Sequence, residues 1–399
     1  MDRAPEVSLA SEVDAALKML ALARDYAQVR RAGYFNSAAI GLIPAPVLAR
    51  HEAFARDLAE RGTAAFFDNV DAILKGPRAA GARLFGADQS SVAAATSVSE
   101  AISQVAWWVH PRAGQNVVSV DIEPEAVTLP WLRVAEDTSA EVRLASLRND
   151  PASLSLDKIA ALVDKNTVAI CLSHVQWITG YRFDLKALAD LAHAHGALLI
   201  VDAMQSAGVV PIDVQVCDVD VLVAGSYKWL CSFGGVAACY LRPELLARFR
   251  PVMVGARTSD PIPPYDTIDL PRLILPDDAR RLEYASTAHP SRIAFSVAVD
   301  YLLDIGIETI QAHTQKLGSM LAEGLLQLGA RVITPLDEQR RAAIVTATFS
   351  EHSAADLARQ LARQGVSVSP RLGLLRFSPH FFNDEEDVER ALQALAKIL

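Results

Sequence analysis

The sequence is poor in several features that define common function classes. It has four cysteines in 399 residues, Cys171, Cys217, Cys231 and Cys239, and no CxxC pair. Three of them lie in or beside apolar, strand-like runs, the pattern of reduced, buried thiols rather than a disulfide framework. Basic residues are in deficit: 38 Lys and Arg against 47 Asp and Glu give a net charge of -9. That balance argues against a protein built to displace counterions from a nucleic-acid backbone. No apolar run approaches the ~20 residues of a membrane span. Met1–Glu6 are polar and acidic rather than a basic start followed by an apolar stretch, so no secretory signal is expected. These absences lead us to expect a cytoplasmic protein with neither a membrane nor a nucleic-acid partner.

Catalytic signatures are missing too. There is no GxGxxG after an early strand and no GxxxxGK[ST], so dinucleotide and P-loop readings lack their phosphate-binding turns. HExxH and clustered Cys/His ligands are absent, and so is a GxSxG elbow, so no metal site is expected and no serine hydrolase is indicated.

What is present is an alternation. Short apolar runs at 92–96, 117–120, 142–145, 168–173, 198–202, 219–224 and 236–241 read as strands, with helical runs at 99–109, 155–163 and 185–195 between them. Strands apolar on both faces and separated by helices predict an α/β fold with a mainly parallel seven-stranded sheet flanked by helices. Before it, 8–31 and 47–62 read as helices around an extended or turning segment at 34–46, and 70–86 as one further helix. After it, 290–304 and 307–328 read as helices, and 344–398 reads β-α-β-β-α, a smaller C-terminal α+β domain. We expect an N-terminal helix and arm over 1–49, a large domain over 50–285 and a small domain over 286–399. The stretch 255–281 reads as a loop too long for a simple connector, which is often functional.

Ligands of such sheets sit beyond the carboxyl ends of the strands. Asp202 closes one apolar run, and Lys228 stands 26 positions later, just past another. A carboxylate there can hold a proton on a pyridine nitrogen, and a desolvated lysine can form a Schiff base with an aldehyde; pyridoxal phosphate (PLP) needs both. Taken singly, Asp202 is as readily a helix cap, and Lys228 a side chain snorkelling from a strand end. Gln205 could donate to the ring's phenolic oxygen. The segment Thr96-Ser97-Val98 passes from a strand into a helix, where free N–H groups suit a phosphate, although the same spelling also serves an ordinary N-cap. Arg376 lies within an apolar strand and needs an anionic partner, either a substrate carboxylate or a structural acid. His174, at another strand end, could contact the cofactor face or move protons, or simply pack and hydrogen-bond.

These residues together resemble fold-type I PLP enzymes of the class V aminotransferase family, which includes cysteine desulfurases, selenocysteine lyases, isopenicillin N epimerases and kynureninases. The resemblance covers about 34 to 399. It rests most on Asp202-Ala203-Met204-Gln205 and Ser226-Tyr227-Lys228. Tyr34–Gly41, Ala95–Ser97, Ser173–Gln176, Glu283–Thr287 and Arg376–Asn383 add to it. It implies Lys228 as the Schiff-base lysine and proton carrier, Asp202 on the ring nitrogen and Gln205 on the phenolic oxygen. Thr96, Ser97, Val98 and Ser226 would bind the phosphate with Thr287 of a second subunit, and Arg376 and Asn36 the substrate. His174 joins Lys228 and Asp202 as the third catalytic candidate. The implied protein is a homodimer with shared sites, acting on an α-amino acid as an aminotransferase or C–S/C–Se lyase. An epimerase, a kynureninase-like hydrolase and a catalytically degenerate scaffold are the alternatives. In two places the sequence departs from the family pattern. The position of the ring that covers the cofactor falls near Pro124, and Val366–Leu375 contains no cysteine of the kind that takes sulfur in desulfurases.

Overall fold

A computed structural model describes residues 25–26, 33–260, 273–285 and 288–399. The helix expected over 8–31 lies almost wholly outside these residues. Strand β1 (Gly33–Tyr34) is followed by helix α1 (Ala45–Arg61) and, after two short helical segments, helix α2 (Gly76–Phe85). The segment read as one helix over 70–86 is broken at Lys75, where Val70–Leu74 ends and Gly76 with Pro77 begins a new N-terminus.

The seven expected strands all form: β2 (Val92–Ala95), β3 (Asn116–Val120), β4 (Glu141–Ala145), β5 (Thr167–Ser173), β6 (Leu198–Asp202), β7 (Val221–Gly225) and β8 (Ala237–Leu241). They lie in the order β2-β8-β7-β6-β5-β3-β4. β8 pairs antiparallel to both neighbours, and every other pairing is parallel. Alternate residues feed two cores. Val118, Val120, Ile170, Leu172, Leu199, Val201 and Leu222 face one way, and Val117, Ala169, Cys171, Ile200, Val221 and Val223 the other. This is why the strands read as continuous apolar runs rather than alternating ones. Helices α3 (Val98–Val109), α4 (Glu125–Thr138) and α5 (Leu185–Ala194) connect them. The sequence reading missed α4, because Pro124 and Pro130 argue locally against a helix. Pro124 stands at the N-cap, where a proline costs nothing, and Pro130 is accommodated inside the helix.

Helix α6 (His289–Ile305) packs on α1 and α2, and helix α7 (Ile307–Gln327) packs on the second sheet. That sheet has the order β12-β13-β10-β9, built from β9 (Arg331–Val332), β10 (Val345–Thr348), β12 (Ser369–Arg371) and β13 (Leu374–Phe377), while β11 (Val366–Ser367) pairs in parallel with β1. Helices α8 (Ala354–Arg363) and α9 (Glu385–Ala396) complete a separate core, which Phe35 enters from the N-terminal side. No helix among the described residues is long and apolar enough to cross a membrane.

Candidate active site

Because β2, β3, β5, β6 and β7 point the same way, their carboxyl ends open on one edge of the sheet. A cavity of about 380 Å³ lies there. Thr96, Ser97, Val98 and Ser99 line it from the end of β2, and Asp202, Met204 and Gln205 from the end of β6. Gly225, Tyr227 and Lys228 do so from the end of β7, with Pro124, Glu125 and Trp177 on the remaining side.

Asp202 is buried, and its Oδ1 accepts from the N–H of Met204 at 2.7 Å. No helix follows it, so it is not the helix cap it resembled; turns occupy 204–209. Burial raises its carboxyl to about 6, opposed by the Met204 N–H and by Lys228. Burial likewise lowers the Lys228 amine to about 8; Asp202 works against that fall, and Arg376 and Arg371 add to it. The two groups feel each other across the cavity. The backbone of Lys228 is held from behind, since the N–H of Gly41 donates to Tyr227 O at 2.9 Å. A Cβ on Gly41 would stand 1.9 Å from the Lys228 carbonyl oxygen, so only glycine allows this approach.

Gln205 is fixed at both ends of its amide, donating to Ala38 O at 3.1 Å and accepting from the Trp229 indole at 2.7 Å. Ser97 caps α3 by accepting from the N–H of Glu100 at 3.0 Å. The backbone N–H groups of Ser97, Val98 and Ser99 meet no acceptor among the described residues, which leaves a helix N-terminus open to an anion. Thr96 is already engaged: its N–H and hydroxyl both donate to Glu100, at 2.7 and 3.0 Å.

Other predicted site residues lie outside this lining. Ser226 is fully buried and donates to Phe233 O, with its neighbour Tyr227 reaching the cavity instead. One position along a chain leaving a strand end turns a side chain to the opposite side. Asn36 bridges to Ser378, and its Oδ1 accepts from the Ser369 hydroxyl. His174 is buried beside Asp202, its N–H donating to the Asp202 carbonyl at 2.9 Å. Burial, with help from Arg182, pushes its imidazole down to about 3, and Nδ1 has no partner among the described residues. Burial thus favours the neutral imidazole. Arg376 is buried, donates to Trp177 O at 2.7 Å and keeps an unpartnered Nε. Burial lowers its guanidinium to about 9. Thr287 lies outside the described residues.

The sequence reading passed over Glu123. It is buried, accepts from the Ser173 N–H at 3.0 Å and from the Ser173 hydroxyl, and sits close enough to Asp202 to feel its charge. Burial, opposed by the two Ser173 bonds and helped by Asp202, raises its carboxyl to about 7. The indole of Trp177 and the amide of Gln176 both donate to Ile122 O at 2.7 Å, pinning the 121–125 loop to the end of β5. The signal was the one used for Asp202, a carboxylate just beyond an apolar strand.

A mainly parallel sheet with a helix N-terminus, a buried carboxylate and a desolvated lysine around one cavity is the arrangement that a fold-type I PLP enzyme requires. The family described as Aminotransferase class-V matches residues 33–390, and the chain belongs to it. It is 28% identical over 317 residues to an uncharacterized aminotransferase, YcbU, of Bacillus subtilis, covering 79% of this chain and 81% of the relative. It is 29% identical over 319 residues to a probable cysteine desulfurase of Synechocystis, covering 75% and 74%. A cystine C–S lyase, solved with its reaction product cysteine persulfide, superposes with a TM-score of 0.84 at 23% identity, over 92% of this chain and 98% of that one. The protein is thus a PLP-dependent enzyme of the aminotransferase or lyase type.

Proposed function

We propose that the protein is a PLP-dependent C–S lyase that acts on a cysteine-like α-amino acid and releases its sulfur product without passing it to an enzyme thiol. The residues present fit the cofactor. The open N–H groups of Ser97, Val98 and Ser99 suit its phosphate, the Asp202 carboxylate its ring nitrogen, and the Lys228 amine its aldehyde. Bound there, the cofactor supplies an electron sink for the pair left at the substrate's α-carbon. Asp202 would hold the proton on the ring nitrogen, and Gln205, its amide set by Ala38 O and the Trp229 indole, would lie along the ring edge. Arg376 binds the substrate carboxylate through the N–H groups its protein contacts leave free. Lys228 would then be placed to take the α-proton; its amine, pulled down to about 8 by burial, gives up its proton more readily than an exposed lysine.

One observation carries the choice of lyase without an enzyme persulfide. Cys171, Cys231 and Cys239 are buried with thiols pushed up by burial, and Cys217 stands on the short helix Val214–Cys217 away from the cavity. The hairpin between β12 and β13 turns on Leu372 and Gly373, both in the left-handed region at φ 48° and 77°. That tight turn leaves no loop to carry a mobile cysteine. Names among the relatives support C–S chemistry.

We extend the proposal to a cytoplasmic homodimer, and we place the boundary of the small unit after α6, which packs on α1 and α2, rather than at 285; the expected boundary at 49 falls inside α1. The test is product analysis with L-cysteine and L-cystine. Elimination from cysteine consumes water and yields pyruvate, ammonia and sulfide in equal amounts. Alanine in place of pyruvate would mean sulfur transfer to a thiol and would refute the proposal. So would a 2-oxo acid formed only when an amino acceptor is supplied.

A further inference from the structure

β12 and β13 place a second cation beside Arg376. Ser369 pairs with Arg376 across the two strands, and Arg371 pairs with Leu374. Arg371 is two residues from Ser369, and Leu374 two from Arg376, so all four side chains leave the same face of the sheet. That face looks towards the cavity's side of the large unit. The Ser369 hydroxyl reaches Asn36, and the Arg376 guanidinium reaches the carbonyl of Trp177, a wall of the cavity.

Neither arginine has an acidic partner among the described residues. Arg371 donates only to the carbonyl of its neighbour Pro370, at 2.9 Å, and Arg376 only to Trp177 O. Both oppose the charge on Lys228, and Arg371 opposes that on Arg376. Two guanidiniums on one face with no carboxylate between them are costly to keep together. A single α-carboxylate would neutralise one of them.

We propose that Arg371 is a specificity-determining residue that receives a second anionic group, so that the substrate is an α-amino acid with an acidic distal end. Arg376 takes the α-carboxylate and Arg371 the distal carboxylate or sulfonate. On the C–S lyase reading, from which this follows, the leaving group is a thiol carrying an acid.

The PLP-loaded enzyme is titrated with succinate and glutarate, and with butyrate and valerate as chain-matched monoanions, following the visible absorption band. This readout needs no turnover. A charge-assisted contact of this kind predicts that each dianion binds about tenfold tighter than its monoanion. Arg371→Gln should bring that ratio to near one while moving butyrate affinity by less than about threefold, and Arg371→Lys should restore part of it. Equal affinities for dianion and monoanion in the unaltered enzyme overturn the inference without any variant. So does a ratio unchanged by Arg371→Gln. A protein that gains no visible band with PLP would instead refute the functional reading beneath it, so the two failures are distinguishable.

Discussion

Replacing Glu123 by glutamine should make the cofactor-free protein more stable at alkaline pH and nearly unchanged at acid pH. The carboxyl rises from an ordinary 4.5 to about 7 in the fold. The folded protein therefore binds more protons at this site than the unfolded chain between those values. Its stability falls as pH rises through that window, with the full cost present above about 7. At about 1.4 kcal/mol for each tenfold in proton affinity, the cost of ionising Glu123 reaches about 3 kcal/mol. Most of it, about 2 kcal/mol, accumulates between pH 5.5 and 8.5. Glutamine carries no charge, and its amide oxygen can still accept from the Ser173 N–H. Urea unfolding of both proteins at the two pH values isolates the effect, because His174, His380 and Asp202 titrate in both. The expected result is a wild-type curve steeper by about 2 kcal/mol across that interval. Parallel curves would mean that Glu123 is not held out of water and that its coupling to Asp202 is absent.

The rate at which cofactor-free protein captures PLP should climb with pH around a midpoint near 8 and level off above about 9, as the Lys228 amine becomes free; stopped-flow absorbance checks it, and a midpoint near 10.5 would contradict the desolvated lysine. Lys228→Ala should give no visible band that borohydride can fix to the chain, read by mass spectrometry. Arg376→Gln should lower kcat/KM for α-amino acids by roughly 100-fold, the range for losing a buried charge-assisted contact, while leaving an amine without a carboxylate unaffected. Gly41→Ala must displace either its own segment or the Lys228 carbonyl. It should cost about 1–3 kcal/mol in thermal unfolding and weaken PLP retention in parallel; a variant with wild-type Tm and retention would show that the close contact yields freely.

Much of the fold was legible because a sheet covered on both faces needs strands apolar throughout, and seven such runs stand out between helices. Helix α4 was not, since its two prolines speak locally against a helix and only tertiary packing tolerates them. The candidate site divided in the same way. Asp202 and Lys228 were readable as polar residues at the ends of apolar runs. Glu123 carried the same mark but stood in a segment read for a missing aromatic. Ser226 and Asn36 could not be placed from sequence, because which side of a strand exit a residue faces depends on the turn that follows. The pairing of Arg371 with Arg376 depends on the register of a hairpin, and one residue of slip would have put them on opposite faces.

Residues 33–41 belong mechanically to both halves of the molecule. At one end β1 pairs with β11, Asn36 bridges to Ser378 and Phe35 is sunk in the small core. At the other, Gly41 rests on the peptide that carries Lys228. Residues 36–41 thus link the sheet that carries Arg376 to the peptide that carries Lys228. The strand that carries Arg376 and the peptide that carries Lys228 are therefore tied to one short stretch of chain, so a displacement of either one would have to be accommodated at the other.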